Sequence, residues 1–359
     1  MDFNQTFLVV DLAFLAEKLI LIVAVVMGSL IVAMYSTYAE RKVAAWMQDR
    51  RGPNRAGPFG ILQPVADGLK LFFKEEIIPS FSNKFLFILG PCLAMLTAMM
   101  VGAVIPWGDK IHIFNRDVSL QIADVNIGIL YIFGVVSLGV YGIMIGGWAS
   151  NNKFSLLGAM RGASQIISYE LALGISLIAL LMLTGTLSLN EMVDQQKDQW
   201  WNIVYQPIGF LIFLICAFAE TNRTPFDLPE AENELIGGYH AEYSSMKLGF
   251  YLFSEYINMF LSSAVMVTLY FGGYDIPFVN DTTLAQNIGV NWTALLEGAV
   301  LFGKILCFIF LFMWVRWTVP RFRYDQLMNL GWKVLLPLAL LNMLVTGALI
   351  LLKQNHWHF

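Results

Sequence analysis

Residues 218–246 read FAETNRTPFDLPEAENELIGGYHAEYSSM, preceded by the apolar run PIGFLIFLICA and followed, after one lysine, by LGFYLFSEYINMFLSSAVMV. The stretch sets six carboxylates, Glu220, Asp227, Glu230, Glu232, Glu234 and Glu242, against Arg223 and the adjoining Lys247. Two hydrophobic segments joined by an acidic connection read as two membrane helices and a loop.

The rest of the chain extends that reading. Hydrophobic residues make up 57% of it and charged residues 13%, against about 25% charged in soluble domains, and the mean hydropathy is +0.64. A helix crossing a hydrocarbon core about 30 Å thick needs about 20 apolar residues. Eight runs are read as spans, at about 12–38, 85–106, 126–148, 165–187, 206–219, 248–271, 297–317 and 333–352. The fifth is short and closed early by Glu220, which predicts a broken or tilted helix. No connection reaches the roughly 50 residues of an independent domain, so residues 1–359 form a single integral membrane domain. The first run is too long for a cleaved signal and carries Glu17 and Lys18, so it is expected to stay as a membrane helix.

Lys and Arg number sixteen in the odd loops and five in the even loops and termini. The positive-inside rule then places the odd loops, with the acidic stretch, on the inner side and both termini outside.

Charges inside the spans, Glu170, Glu255 and Lys304, each cost about 2.5–3.5 kcal/mol at the bilayer centre. Lys304 is therefore expected to face protein or water. It ends GAVLFGK, which resembles a phosphate-binding loop, but Ile305 stands where Ser or Thr would hold magnesium. Glu170 reads as a helix-entrance carboxylate favoured by the helix dipole, whereas the dipole opposes Glu220 at the inner end of its span. Cys92, Cys216 and Cys307 are far apart with no CxxC spacing, which predicts packing residues rather than a metal site. Gly142 and Gly146 have GxxxG spacing and predict close helix packing.

The first inner loop, YAERKVAAWMQDRRGPNRAGPFGILQPVADGLKLFFKEEIIP, breaks at its Pro and Gly cluster and resumes with Ile61, Leu62, Val65, Leu69, Phe72 and Phe73 on one broad face. That pattern predicts a helix lying on the membrane. In the acidic stretch, DLPE predicts a helix start with Asp227 as N-cap and Glu230 in the reciprocal position, a helix that Gly237 and Gly238 end. On it Glu230 and Glu234 share a face. A solvated loop and a proton-handling cavity both fit this composition.

Four strings pass from pattern to family: AERKVAAWMQDRRGPNRAGPFGILQPVADGLKLFFKE, RGASQIISYELALG, AETNRTPFDLPEAENELIGGYHAEYSSMKLGFYLFSEY and RWTVPRFRYDQLMNLGWKVLLPL. In this order, across nearly the whole chain, they resemble the membrane subunit of respiratory complex I that joins the hydrophilic arm to the pumping arm, the family of the bacterial H subunit and mitochondrial subunit 1. The resemblance implies an all-α polytopic membrane protein with eight membrane helices, the second to sixth arranged like an antiporter half-module, and an amphipathic surface helix. It implies a subunit of NADH:quinone oxidoreductase with no redox centre or metal of its own. Quinone would be its substrate, reaching it through a tunnel between the first and sixth helices and the surface helix. Flavin and iron–sulfur clusters would lie in partner subunits, and further partners would be small and antiporter-like membrane subunits, in a bacterial inner membrane or a mitochondrial one.

By position, the resemblance assigns Glu40, Arg41, Arg50, Arg55, Asp67 and Arg223 to the tunnel or its surroundings. It assigns Glu170, Glu220, Asp227, Glu230, Glu232 and Glu234 to a proton and conformational relay, and Arg316, Arg321, Arg323 and Asp325 to the seventh-loop charges. Ala45 and Asp49 depart from the first motif without touching these positions. The alternatives are a stand-alone cation/proton antiporter and the related subunit of a membrane-bound hydrogenase.

Overall fold

In the computed structural model, which describes residues 12–113, 116–198, 200–277 and 288–355, nearly every regular element is an α-helix. Helix α1 (Leu12–Met47) has 36 residues, about 54 Å at 1.5 Å per residue. It therefore outreaches a core of about 30 Å and carries Glu40 and Arg41 beyond its apolar half. After the Pro and Gly break comes α2 (Gln63–Phe73), on which Val65, Leu69, Phe72 and Phe73 are exposed together, the apolar face expected of a surface helix.

Next come α3 (Lys84–Met100), capped by the Asn83 side chain, and, beyond a short antiparallel β-hairpin (β1, Lys110–Ile113; β2, Arg116–Ser119), α4 (Gly128–Ala149). Helix α5 (Lys153–Thr184) follows, with Gly185 at φ 71° closing it in the left-handed conformation that suits glycine. Two short helices, α6 (Leu189–Asp198) and α7 (Asn202–Tyr205), lead to α8 (Pro207–Glu220). The acidic stretch contains the single turn α9 (Glu232–Leu235) and a 3-10 turn over Gly238–His240 before α10 (Ser245–Tyr270). The chain finishes with α11 (Val290–Thr318), α12 (Tyr324–Asn329), a π-turn over Leu330–Leu335, and α13 (Leu336–Asn355).

Among the described residues, seven helices are long and apolar enough to cross a membrane. The remaining expected span, the fifth, is α8, which has 14 residues, about 21 Å, and is the short segment foreseen. A buried polar knot tops it: Gln206 donates to Thr346 Oγ1 at 2.8 Å and accepts from Asn342 Nδ2 at 2.9 Å, tying it to α13.

Helix α10 is the central post, the most buried of the seven, while α1 is the most peripheral. The GxxxG expectation holds. A Cβ on Gly142 would lie 2.8 Å from the Ala94 backbone nitrogen of α3, and one on Gly146 would collide with the Tyr251 hydroxyl. The phosphate-loop look-alike is continuous helix within α11.

Two expectations fail. Glu170 does not sit at a helix start, because α5 begins at Lys153, where Asn152 accepts from Phe154 N at 2.9 Å. The DLPE helix does not form. Asp227 has no regular structure, residues 228–230 are turn, and the N-cap of α9 is Ala231. Pro229 instead packs into a notch on α5, where a Cβ on Gly162 would lie 2.8 Å from its Cγ and one on Gly158 2.8 Å from its carbonyl oxygen. Glu230 and Glu234 consequently do not share a helical face.

Candidate functional site

The acidic connection is folded into the bundle. Gln165 of α5, fully buried, donates to Ala219 O at 2.8 Å and Phe226 O at 2.7 Å, pinning the end of α8 and the turn after it. Asn222, Ala231 and Ile236 adopt positive φ, and Gly238, at φ 59°, lies so close to the Pro229 carbonyl that no side chain fits. These contacts deliver the charged groups inward.

Glu40, buried on α1, is the first node. Its Oε1 pairs with Arg316 at 2.5 Å, and its Oε2 accepts from Tyr256 at 2.7 Å and from Arg223 at 3.4 Å. Arg223 lies 3.9 Å over the Tyr256 ring and 3.9 Å from Glu255 Oε2, so one buried guanidinium stands between two buried carboxylates. Its Nε and second terminal nitrogen have no protein hydrogen-bond partner among the described residues. Burial opposes the charge on Arg223, but Tyr256, Glu40 and Glu255 together outweigh it and raise its pKa. Glu255 also accepts from Tyr239 at 3.0 Å, and burial with that carboxylate raises the Tyr239 hydroxyl well above its ordinary value.

Beside this node, Asp227 pairs with Arg321 at 2.7 Å. Its carboxyl is nevertheless pushed up to about 7, because burial and then the neighbouring Glu230 outweigh Arg321 and Arg316. Glu230 faces His240 at 3.8 Å, Glu234 pairs with Arg161 at 2.7 Å, and Glu242 accepts from Asn152 at 2.7 Å. Deeper in the bundle, Glu220 and Glu170 line one cavity, where Glu170 also meets the Ser137 hydroxyl.

Of the residues singled out from the sequence, Glu40, Arg223, Arg316, Asp227 and Arg321 come together, with Glu230 adjoining and Glu170 and Glu220 on the inner cavity. Arg41 and Asp67 pair at 2.7 Å between α1 and α2. Arg50, Arg55, Arg323 and Asp325 lie outside the cluster; the Arg50 Nε bonds Gln48 at 2.7 Å. Glu234 is more than half exposed at the rim, and the Glu232 side chain lies outside the described residues.

Site reasoning missed Glu255, although its charge within a span was a usable signal, and it missed Tyr239, Tyr251 and Tyr256, for which the sequence offers none. The described residues contain no group of three or more His, Cys, Asp or Glu placed to hold a metal.

Long apolar helices enclosing a chain of buried acids and bases define an all-α polytopic membrane protein with ionisable groups inside its membrane bundle. A family profile described as NADH dehydrogenase matches residues 19–347. The chain is 66% identical over 343 residues to an H subunit of NADH-quinone oxidoreductase from Cytophaga hutchinsonii, covering 96% of this chain and 99% of that one. It is 64% identical over 339 residues to the H subunit of the Flavobacterium johnsoniae enzyme (94% and 96%) and 47% identical over 334 residues to NADH-quinone oxidoreductase subunit 8 of Rhodothermus marinus (89% and 93%). The chain belongs to the NADH dehydrogenase family, within the H-subunit group of complex I, and is thus a subunit of an enzyme complex.

Proposed function

We propose that this chain works in the proton-translocating NADH:quinone oxidoreductase of a bacterial inner membrane, with both termini outside, as the subunit that admits quinone and couples its reduction to proton movement. Quinone reaches the hydrophilic partner subunits along α1, α2 and α10. There it takes two electrons, delivered from NADH by the partners' flavin and iron–sulfur clusters, and two protons from the inner side, becoming quinol.

The observation that carries this reading is the line of ionisable groups leading from the buried Glu40, beside the surface helix, through the buried Arg223 and Glu255, and on to the half-buried Glu220 and Glu170. Arg223 is shared between two acids at 3.4 and 3.9 Å. A proton arriving on Glu40 weakens the shorter contact, and the guanidinium then turns toward Glu255. The shift favours the ionised form of Glu255, and the altered field drives protons among the carboxylates deeper in the bundle.

Glu220→Gln tests this, because the amide keeps size and most hydrogen bonding but cannot titrate. The assembled variant complex is expected to keep its subunits and its NADH-to-artificial-acceptor rate while losing most quinone reductase activity and the pH gradient in vesicles. Wild-type rates for both coupled functions would remove Glu220 from the relay.

A further inference from the structure

Two adjoining cavities in the bundle share part of their lining, and Glu220, Thr221 and Asn258 wall both. Glu170 opens on the first only, and Glu255 and Tyr239 on the second only. Asn258 lies three residues beyond Glu255 on α10, hence on the same helical face.

Several polar groups around the junction are already engaged. Thr221 and Ser254 bond carbonyls of their own turns, Tyr251 donates to Gly142 O at 3.0 Å, and Tyr239 donates to Glu255. The Asn258 amide has no protein hydrogen-bond partner among the described residues. An amide offers two donors and an acceptor, and this one belongs to a half-buried side chain that opens on the junction beside Val136, Leu261 and Val265, where its hydrogen bonds are left to a polar occupant. What meets it is whatever occupies the junction, and a polar junction suits water.

We infer that Asn258 is a positioning residue, whose amide orients water at the junction of the two cavities so that protons pass between Glu220 and Glu255. The inference rests on the carboxylate relay proposed above and specifies how two of its acids are joined. In the transfer, the O–H bond of one carboxylic acid breaks as the ordered water accepts that proton. The same water releases one of its own protons to the other carboxylate, and the amide neither gains nor loses one. The titratable groups facing the two cavities are Glu170 from α5, Glu220 from α8, Glu255 and Tyr251 from α10 itself, and Tyr239 from the acidic connection. Helices α3 and α4 contribute none to their walls.

The test uses the assembled complex with Asn258→Leu, Asn258→Asp and Glu220→Gln, reading the artificial-acceptor rate, quinone reductase turnover and the vesicle pH gradient. Asn258→Leu is expected to leave the artificial-acceptor rate unchanged and to lower both coupled activities about tenfold, the loss of one good hydrogen bond along the proton path. Asn258→Asp keeps the shape and places a further carboxyl among the acids, so the pH of half-maximal coupled turnover is expected to move. A wild-type pH profile in Asn258→Asp overturns the inference, including in the case where Asn258→Leu fails to assemble, and so do wild-type coupled rates in an assembled Asn258→Leu. If Glu220→Gln is inactive while both Asn258 variants behave as wild type, only the role of Asn258 falls. If Glu220→Gln itself couples normally, the relay falls with it.

Discussion

Asp227 shows how much a single residue's surroundings decide. Its pairing with Arg321 lowers its proton affinity, yet burial and the charge of Glu230 win, and the carboxyl titrates at about 7 rather than at its ordinary 3.8. The sign follows from linkage. A carboxyl raised in the folded state contributes stability that is complete below about pH 4 and is lost as pH rises through about 7. Hydrogen exchange across residues 221–244, corrected for intrinsic rates, is expected to show the wild-type connection opening more readily at pH 8 than at pH 6. In Asp227→Asn that difference should shrink, and an unchanged difference would mean another group governs it. The sequence made Asp227 a candidate, but not for the right reason. DLPE has the look of a helix cap, and only tertiary packing of Pro229 against α5 makes it a turn.

At the scale of elements, hydropathy located the apolar centres of the spans and amphipathicity located α2, because lipid and water impose those patterns directly. The helix ends were less legible. Helix α5 begins at Lys153, well before its apolar run, because backbone hydrogen bonding continues to the Asn152 cap whatever the polarity of RGASQ. The Gly158 and Gly162 notch repeats the spacing of Gly142 and Gly146, but its partner is a loop proline rather than another helix. Adding a Cβ at Gly162, 2.8 Å from Pro229 Cγ, forces a shift, and overpacking of this kind costs about 1–3 kcal/mol. Gly162→Ala is therefore expected to lower the thermal midpoint of the purified complex and to make residues 221–244 more sensitive to protease. A variant equal to wild type in both would show that the notch tolerates filling.

For the molecule as a whole, composition and the four family-like strings were enough for the fold class and the family. They were not enough for the site. Glu40 and Arg223 lie 183 positions apart, and nothing local to either indicates that α10 brings Tyr256 and Glu255 alongside them. That Arg50, Arg55, Arg323 and Asp325 stand outside the cluster likewise depends on where the loops settle, which periodicity does not register.

The end of the bundle away from the acidic connection holds together through Lys304. Its ammonium donates to the carbonyl oxygens of Phe271, Gly273 and Asp275 at 2.8, 2.9 and 2.8 Å, and it lies 4.6 Å from the centre of the Trp201 ring. Trp201 in turn donates to the Asp275 side chain at 3.1 Å. A turn whose carbonyls converge in this way has the coordination chemistry of a small cation site, and here the cation is covalently attached to α11. Lys304→Ala should therefore destabilise the assembled complex, and methylammonium should restore part of the lost thermal midpoint while tetramethylammonium, which has no N–H to donate, should not. If neither or both restore it, the carbonyl cage is not what Lys304 contributes. A permanently tethered guest frees this closure from the salts of the medium it faces, so the seam stays shut through shifts in sodium, potassium or calcium that would empty or exchange a mobile ion.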